Sequence, residues 1–180
     1  MRRGMISVIL PALTEEPAAI ETLAILVEGV AEGILRDCVL VSAKQSDLFE
    51  HYADAAGCSF VVENGTYNAL LKKGAAQVRS DWSLVITPGL VPSGDWLTAL
   101  ADWISDKPQP SDAAFIPFHS RKGWPARLNA LAVNLYPYVT GKPHPLPGFI
   151  VSTSLLRQGD LPRLRMRRLD ARMVDRRTSV

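Results

Sequence analysis

Ile6-Ser7-Val8-Ile9-Leu10-Pro11-Ala12-Leu13-Thr14-Glu15-Glu16 is a short apolar run that ends at a proline and opens into a polar, acidic turn. Such a run, bounded by a breaker, reads as a buried strand. From Pro17 to about Gly33 the residues Ile20, Leu23, Leu26, Val27 and Val30 recur at helical spacing. Pro17 suits a first helical turn, Glu15 and Glu16 sit at its positive end, and Gly33 closes the other end. Cys38-Val39-Leu40-Val41 is then a second strand. A strand, a helix of this length and another strand form a βαβ unit, whose two strands run parallel and are joined by a right-handed crossover.

The pattern continues outward. Ser46 and Asp47 cap a helix that runs to about Ala56 and stops at Gly57, and Ser59–Val62 is a third strand. Thr66 to Val78 is helical, with Leu70, Leu71 and Ala75 inward, and Leu84-Val85-Ile86 is a fourth strand before Thr87-Pro88-Gly89. Ser93 is expected to cap a helix carrying Trp96, Leu97, Leu100 and Ile104 inward. Residues 1–105 thus read as a doubly wound α/β half with strands buried on both faces. Beyond Lys107-Pro108-Gln109-Pro110 the regularity loosens. A strand is expected at Ala113–Ile116, a helix from Pro125 to Tyr136, and a last strand at Phe149–Val151, with a proline-rich loop at 141–148. The expected organisation is one α/β domain, in which 106–156 form a short second half and 157–180 a basic tail.

With 180 residues, 47% of them hydrophobic and 21% charged, and a net charge of +2, the chain suits one globular domain. No apolar run approaches the roughly 20 residues of a membrane-spanning helix. Met1-Arg2-Arg3-Gly4 leads straight into the first strand without a cleavage signal, and Cys38 and Cys58 lack metal-type spacing, so a cytoplasmic protein with reduced thiols is expected. The tail concentrates Arg163, Arg165, Arg167, Arg168, Arg172, Arg176 and Arg177. Leu161, Leu164, Met166, Leu169 and Met173 interleave at near-helical spacing, which suits a helix with a solvated basic face, docked on its own domain or lying on a membrane. Peripheral membrane or protein contact through this tail is one expectation. No recognition motif for nucleic acid accompanies it.

In an open parallel sheet, ligands bind beyond the carboxyl ends of the strands. That rule selects the loops Pro11–Glu16, Ser42–Ser46, Glu63–Tyr67 and Thr87–Pro92. No G-x-G-x-x-G or G-x-x-x-x-G-K-[ST] occurs in them, which excludes Rossmann and P-loop readings on residue grounds. No two histidines have zinc-helix spacing. His51 belongs to a polar helix face, while His119 and His144 fall in separate loops. No G-x-S-x-G elbow is present. Of the tryptophans, only Trp124, beside Lys122 and Gly123, is placed like a ligand platform.

ISVILPALTEE resembles the opening of family 2 glycosyltransferases, typically SVIIPTLNEE. CVLVSAKQSD stands where that family has VVDDGSTD, and HYADAAGCSFVV is similar to its second helix and third strand. LLKKGAAQVRSDWSLVITPGLVPSGDWL is similar to NxGAxxAxGDxLLFLDADTxxPPDWL, so four motifs agree in order over about residues 5–100. Weaker similarity continues at PLPGFIVSTSLL. The resemblance implies a three-layer GT-A domain with a mostly parallel central sheet. It also implies a bacterial nucleotide-sugar transferase, with a UDP-sugar the leading donor. Pro11, Leu13, Thr14, Glu16 and Ser42 would line the nucleoside pocket, with Thr87 and Gly89 at the diphosphate and Lys72 and Lys73 close to it.

The departures bear on the chemistry. Ser42, Ala43 and Lys44 replace acidic family positions, although Asp47 keeps a later one. The D-x-D motif, which in the family holds Mg²⁺ or Mn²⁺, becomes Thr87-Pro88-Gly89. No cofactor is expected, because hard divalent ions require oxygen ligands that this triplet does not offer as carboxylates. Lys44, Lys72, Lys73, Arg79 or the arginine tail would then offset the diphosphate charge. A general base at the acceptor hydroxyl falls by position to Asp160, equally readable as a plain loop aspartate. The alternative is a catalytically inactive GT-A module that serves in binding or scaffolding.

Overall fold

In the computed structural model, which describes residues 5–119, 124–142, 148–159 and 161–177, the opening run is an interior strand of the main sheet. Strand β1 (Ile6–Ala12) is buried along its whole length. Ile6, Val8 and Leu10 face one hydrophobic cluster and Ile9 the other, as the two-residue period of a doubly covered strand demands. β1 pairs in parallel with β2 (Leu35–Ser42) on one side and with β4 (Trp82–Val85) on the other, and β2 pairs in parallel with β3 (Ser59–Val62).

Helices α1 (Ala19–Ala31) and α2 (Asp47–Ala55) link strands that advance from β1 towards β3, and both pack on the first cluster. The chain then turns back past β1. Its crossover helix α3 (Tyr67–Gln77) lies on the opposite face, against Ile9 and Val41, as right-handed connections require. Gly74 allows this close approach, since a Cβ there would lie 2.6 Å from Ile9 Cγ2. Ser46 caps α2 as expected, its Oγ accepting from Phe49 N at 3.2 Å, and Thr66, expected inside α3, is its cap, with Oγ1 accepting from Ala69 N at 3.4 Å.

The remaining elements are β5 (Leu90–Ser93), α4 (Trp96–Ser105), β6 (Asp112–Phe115), β7 (Phe118–His119), α5 (Trp124–Thr140), β8 (Phe149–Ser152), α6 (Thr153–Gln158), β9 (Arg165–Arg168) and β10 (Arg172–Asp175). The main sheet has the order β3-β2-β1-β4-β8-β6-β9, and a second sheet the order β5-β10-β7. β8 is antiparallel to β4 and β6, and β9 is parallel to β6, so the central sheet is mostly parallel. Phe49, Phe115 and Phe149 are among the largest fully buried side chains of the described residues, and Cys38 and Cys58 are free thiols.

Three expectations change. Ser93 does not cap α4: it ends β5, its hydroxyl donates to Arg172 O at 3.3 Å, and Asp95 stands at the cap position. The helix of the second half begins earlier and runs on through Pro137 to Thr140. The basic tail forms the two strands β9 and β10 in place of a helix. Leu169, Ala171 and Met173 are buried while Arg168, Asp170 and Arg172 are exposed, a period of two that the arginine run obscures. The tail's hydrophobic residues therefore close the two sheets, which removes the apolar stripe on which its membrane contact rested.

Candidate functional site

The order β3-β2-β1-β4 reverses direction between β1 and β4, and the carboxyl ends of those two strands diverge there into separate loops. A crevice of about 240 Å³ lies at this point, lined by Pro11, Ala12, Leu13, Thr14, Glu16, Tyr67, Thr87, Pro88 and Arg177. Five of the residues singled out in the sequence (Pro11, Leu13, Thr14, Glu16 and Thr87) thus meet in one place.

The loop after β4 is held from below. Thr22 is fully buried on α1, and its Oγ1 donates to Leu90 O and accepts from Gly89 N, both at 2.9 Å. Gly89 has φ +84°, a conformation that favours glycine. Replacing Thr22 with valine keeps the shape but orphans both backbone groups. The variant is expected to lose about 1–3 kcal/mol of unfolding free energy, read as a lower urea midpoint with an unchanged slope.

From above, the same loop is closed by the end of the chain's last described strand. β10 runs antiparallel to β5, with Asp175 opposite Leu90, and Arg176 N donates to Gly89 O at 2.9 Å. This pairing sets Arg177 over Gly89. A Cβ added at Gly89 would fall on Arg177 Cγ and lie 3.0 Å from Glu16 Cγ. The guanidinium is gripped by Asp175, with Nε to Oδ1 and Nη2 to Oδ2 both at 2.9 Å. These hydrogen bonds, together with the charges of Asp175 and Glu16, raise the Arg177 pKa despite its partial burial. Glu16 is itself engaged, its Oε1 accepting from Ala18 N at 3.1 Å at the start of α1.

Ser42 ends β2 opposite Ala12, but it is buried and its Oγ accepts from Lys44 N at 3.3 Å, so it does not line the crevice. Lys72 and Lys73 lie farther along α3 and are also absent from the lining. Lys73 pairs with Glu63 at 3.6 Å, and Lys72 extends towards Gly159. Arg79 pairs with Asp37 at 3.5 Å. Gly89 contributes as the floor under Arg177. Asp160, His144, Lys122 and Gly123 lie outside the described residues, as does the side chain of Trp124.

Sequence reasoning offered Lys44, Lys72, Lys73, Arg79 or the arginine tail as the cation without choosing among them, and it reached Tyr67 only as the last residue of a selected loop. The phenol of Tyr67 at the start of α3 faces Thr87, and its deep burial pushes the pKa up. Tyr67 also borders a second cavity of about 280 Å³, shared with Asn68, Leu71, Tyr136, Lys142 and Phe149 among others. That cavity lies between α3, α6 and the end of α5.

A divalent cation is poorly served at this loop. Thr87, Pro88 and Gly89 carry no carboxylate, the space above Gly89 is filled by Arg177, and both Asp175 oxygens are bound to that guanidinium. Among the described residues no group of three or more His, Cys, Asp or Glu side chains is placed to hold a metal ion.

The fold is that of the GT-A nucleotide-sugar glycosyltransferases, α/β with a mostly parallel central sheet. A mannosyltransferase from Pyrobaculum calidifontis, in complex with GDP-Man and Mn²⁺, superposes with a TM-score of 0.65 at 16% identity over 97% of this chain and 57% of its own. Glucosyl-3-phosphoglycerate synthase from Mycobacterium tuberculosis, in complex with Mn²⁺, UDP-glucose and phosphoglyceric acid, gives a TM-score of 0.58 at 20% identity over 84% of this chain and 58% of its own. The chain therefore spans less than three fifths of the length of these structures. No family model and no curated protein matches the sequence.

Proposed function

We propose that this chain binds a nucleoside diphosphate-sugar in the β1/β4 crevice and transfers the sugar to an acceptor hydroxyl without a divalent metal. The observation that carries this reading is Arg177. A cation stands over Gly89, in the loop that replaces the D-x-D motif of the family the sequence resembles. Thr14 and Glu16 are the polar groups available to the nucleoside, and Thr87 stands beside the diphosphate position. As the bond from the sugar to the diphosphate breaks, negative charge grows on the leaving group. A fixed guanidinium stabilises it as a metal ion otherwise would. At about 240 Å³ the crevice is somewhat smaller than a typical small-molecule pocket, which suits a donor held by only part of its length.

The second cavity is proposed to take the acceptor, because it shares the wall at Tyr67 with the crevice and is built by the second half of the chain. The base that accepts the acceptor's proton is assigned to Asp160 by sequence position alone. The complexes with UDP-glucose and GDP-Man support UDP and GDP as the first ligands to test.

Calorimetry with UDP, GDP and UDP-glucose, with and without Mn²⁺, tests the reading. Binding of equal strength in the presence and absence of Mn²⁺ is expected. Binding only with Mn²⁺ would overturn the metal-free proposal. Failure of every nucleotide to bind would favour the second reading, an inactive binding module. One observation favours that module: Arg177 is already paired at two points with Asp175, and a phosphate has to compete for it.

A further inference from the structure

The sheet brings the chain's two cysteines side by side. β2 and β3 pair in parallel, with Val39 opposite Ser59 and Leu40 opposite Phe60. One step earlier on each strand stand Cys38 and Cys58, which are therefore neighbours on adjacent backbones. Both side chains take the same face: Cys38 belongs to the first hydrophobic cluster and Cys58 packs against it, as Leu40 and Phe60 do two residues on. Adjacent strands lie about 4.8 Å apart, inside the roughly 4.4–6.8 Å between Cα atoms that a disulfide spans. The two thiols already share a hydrogen bond.

Their surroundings differ. Cys38 is 9% exposed and sits in the core, whereas Cys58 is half-buried at the turn that joins α2 to β3. Gly57 beside it is exposed, and a Cβ there would meet nothing within 4 Å, so a small molecule can approach Cys58 from that side. The turn is held by Cys58 N donating to Ala53 O at 2.8 Å, and Cys58 Sγ reaches Ala56 O at 3.9 Å. The hydrogen bond between the thiols lowers the pKa of Cys58 against the effect of its burial. The same bond raises the pKa of Cys38, and burial raises it further.

We propose that Cys38 and Cys58 form a reversible oxidation site that ties strand β3 to β2. The oxidant is a low-molecular-weight disulfide. The Cys58 thiolate attacks one of its sulfurs, forming a mixed disulfide and releasing one small thiol. Cys38 then gives up its proton and attacks the Cys58 sulfur, which forms the Cys38–Cys58 bond and releases the second small thiol. Two protein thiols are oxidised and one disulfide is reduced to two thiols, so hydrogens and electrons balance. Solvent access at Cys58 lets small thiols run the same steps backwards. β3 is the end strand of the main sheet, and the bond would fasten it to its neighbour. The pair lies at the amino end of β3, whereas the crevice lies beyond the carboxyl ends of β1 and β4, so the proposal is independent of the sugar-nucleotide reading.

The test is incubation of the full chain with glutathione disulfide, followed by mass spectrometry without reduction. The parent is expected to lose two hydrogen atoms in mass, to lose both alkylatable thiols, and to regain them with dithiothreitol. Cys38→Ala should instead stop with one glutathionyl group on Cys58. Cys58→Ser should leave Cys38 unmodified in the folded state and open to alkylation only in denaturant. Closing a loop of about 20 residues should also raise the melting temperature by roughly 5 °C above that of the reduced parent. Retention of both thiols would assign them to packing alone and overturn the proposal. A mixed disulfide that persists in the parent, bridges only between separate chains, or an oxidised form that melts no higher than the reduced one would overturn it as well.

Discussion

Replacing Arg177 with alanine is expected to weaken UDP or GDP binding by roughly ten- to a hundredfold. A hydrogen bond to a charged group contributes about 1.5–3 kcal/mol, and each 1.4 kcal/mol is a factor of ten. The fold should hardly notice. The Arg177–Asp175 pair is partly open to solvent, with side-chain exposures of 28% and 25%, and such pairs contribute at most about 1 kcal/mol. Arg177→Lys retains the charge but gives up the planar two-point geometry, so it should recover part of the affinity. Unchanged nucleotide affinity on removing Arg177 would end the case for a cation-substituted crevice.

The second large effect is structural. Phe149 is 1% exposed on β8, in register with Val85 on β4 and Phe115 on β6, and it also walls the larger cavity. Truncation to alanine removes a ring at the seam where the sheet changes from parallel to antiparallel, and the neighbouring backbones are too firmly paired to collapse into the space. Phe149→Ala is expected to lower the unfolding free energy by about 3–5 kcal/mol. That is a large part of the roughly 5–15 kcal/mol of a whole domain. The melting temperature should fall on the order of 10 °C. Phe149→Leu, which keeps most of the volume, should cost less than half as much. Equal melting temperatures for the parent and Phe149→Ala would show that the seam is not part of the core.

The first half of the fold was legible because each of its elements carries its own local signal. Val8 and Ile9 alternate between two cores, Ser46 and Thr66 cap their helices, and Gly57 ends one. The position of the crevice follows from the strand-end rule, which selects the loops carrying Thr14, Glu16 and Thr87. Arg177 could not be singled out in the same way. It reaches Gly89 through the β5–β10 pairing, a contact between distant parts of the chain that no local pattern announces. The tail misled for a related reason. Spacings of two to four between Leu161 and Met173 suit a helix, and the alternation at Leu169, Ala171 and Met173 that marks a strand is short and crowded by arginines. β5 was hidden by Pro92, which is tolerated because β5 is an edge strand of its sheet. Ser42 and the lysines of α3 were chosen by position in a motif, and position does not reveal whether a side chain already has a partner.

Tyr67 belongs to the walls of both cavities. If a molecule in one compartment shifts the ring, the other compartment changes shape with it. The coupling must then be reciprocal: whatever factor a nucleotide applies to the affinity of the second compartment, a molecule there applies to the nucleotide. Trimming the ring to alanine would merge the two spaces and drive that factor towards one.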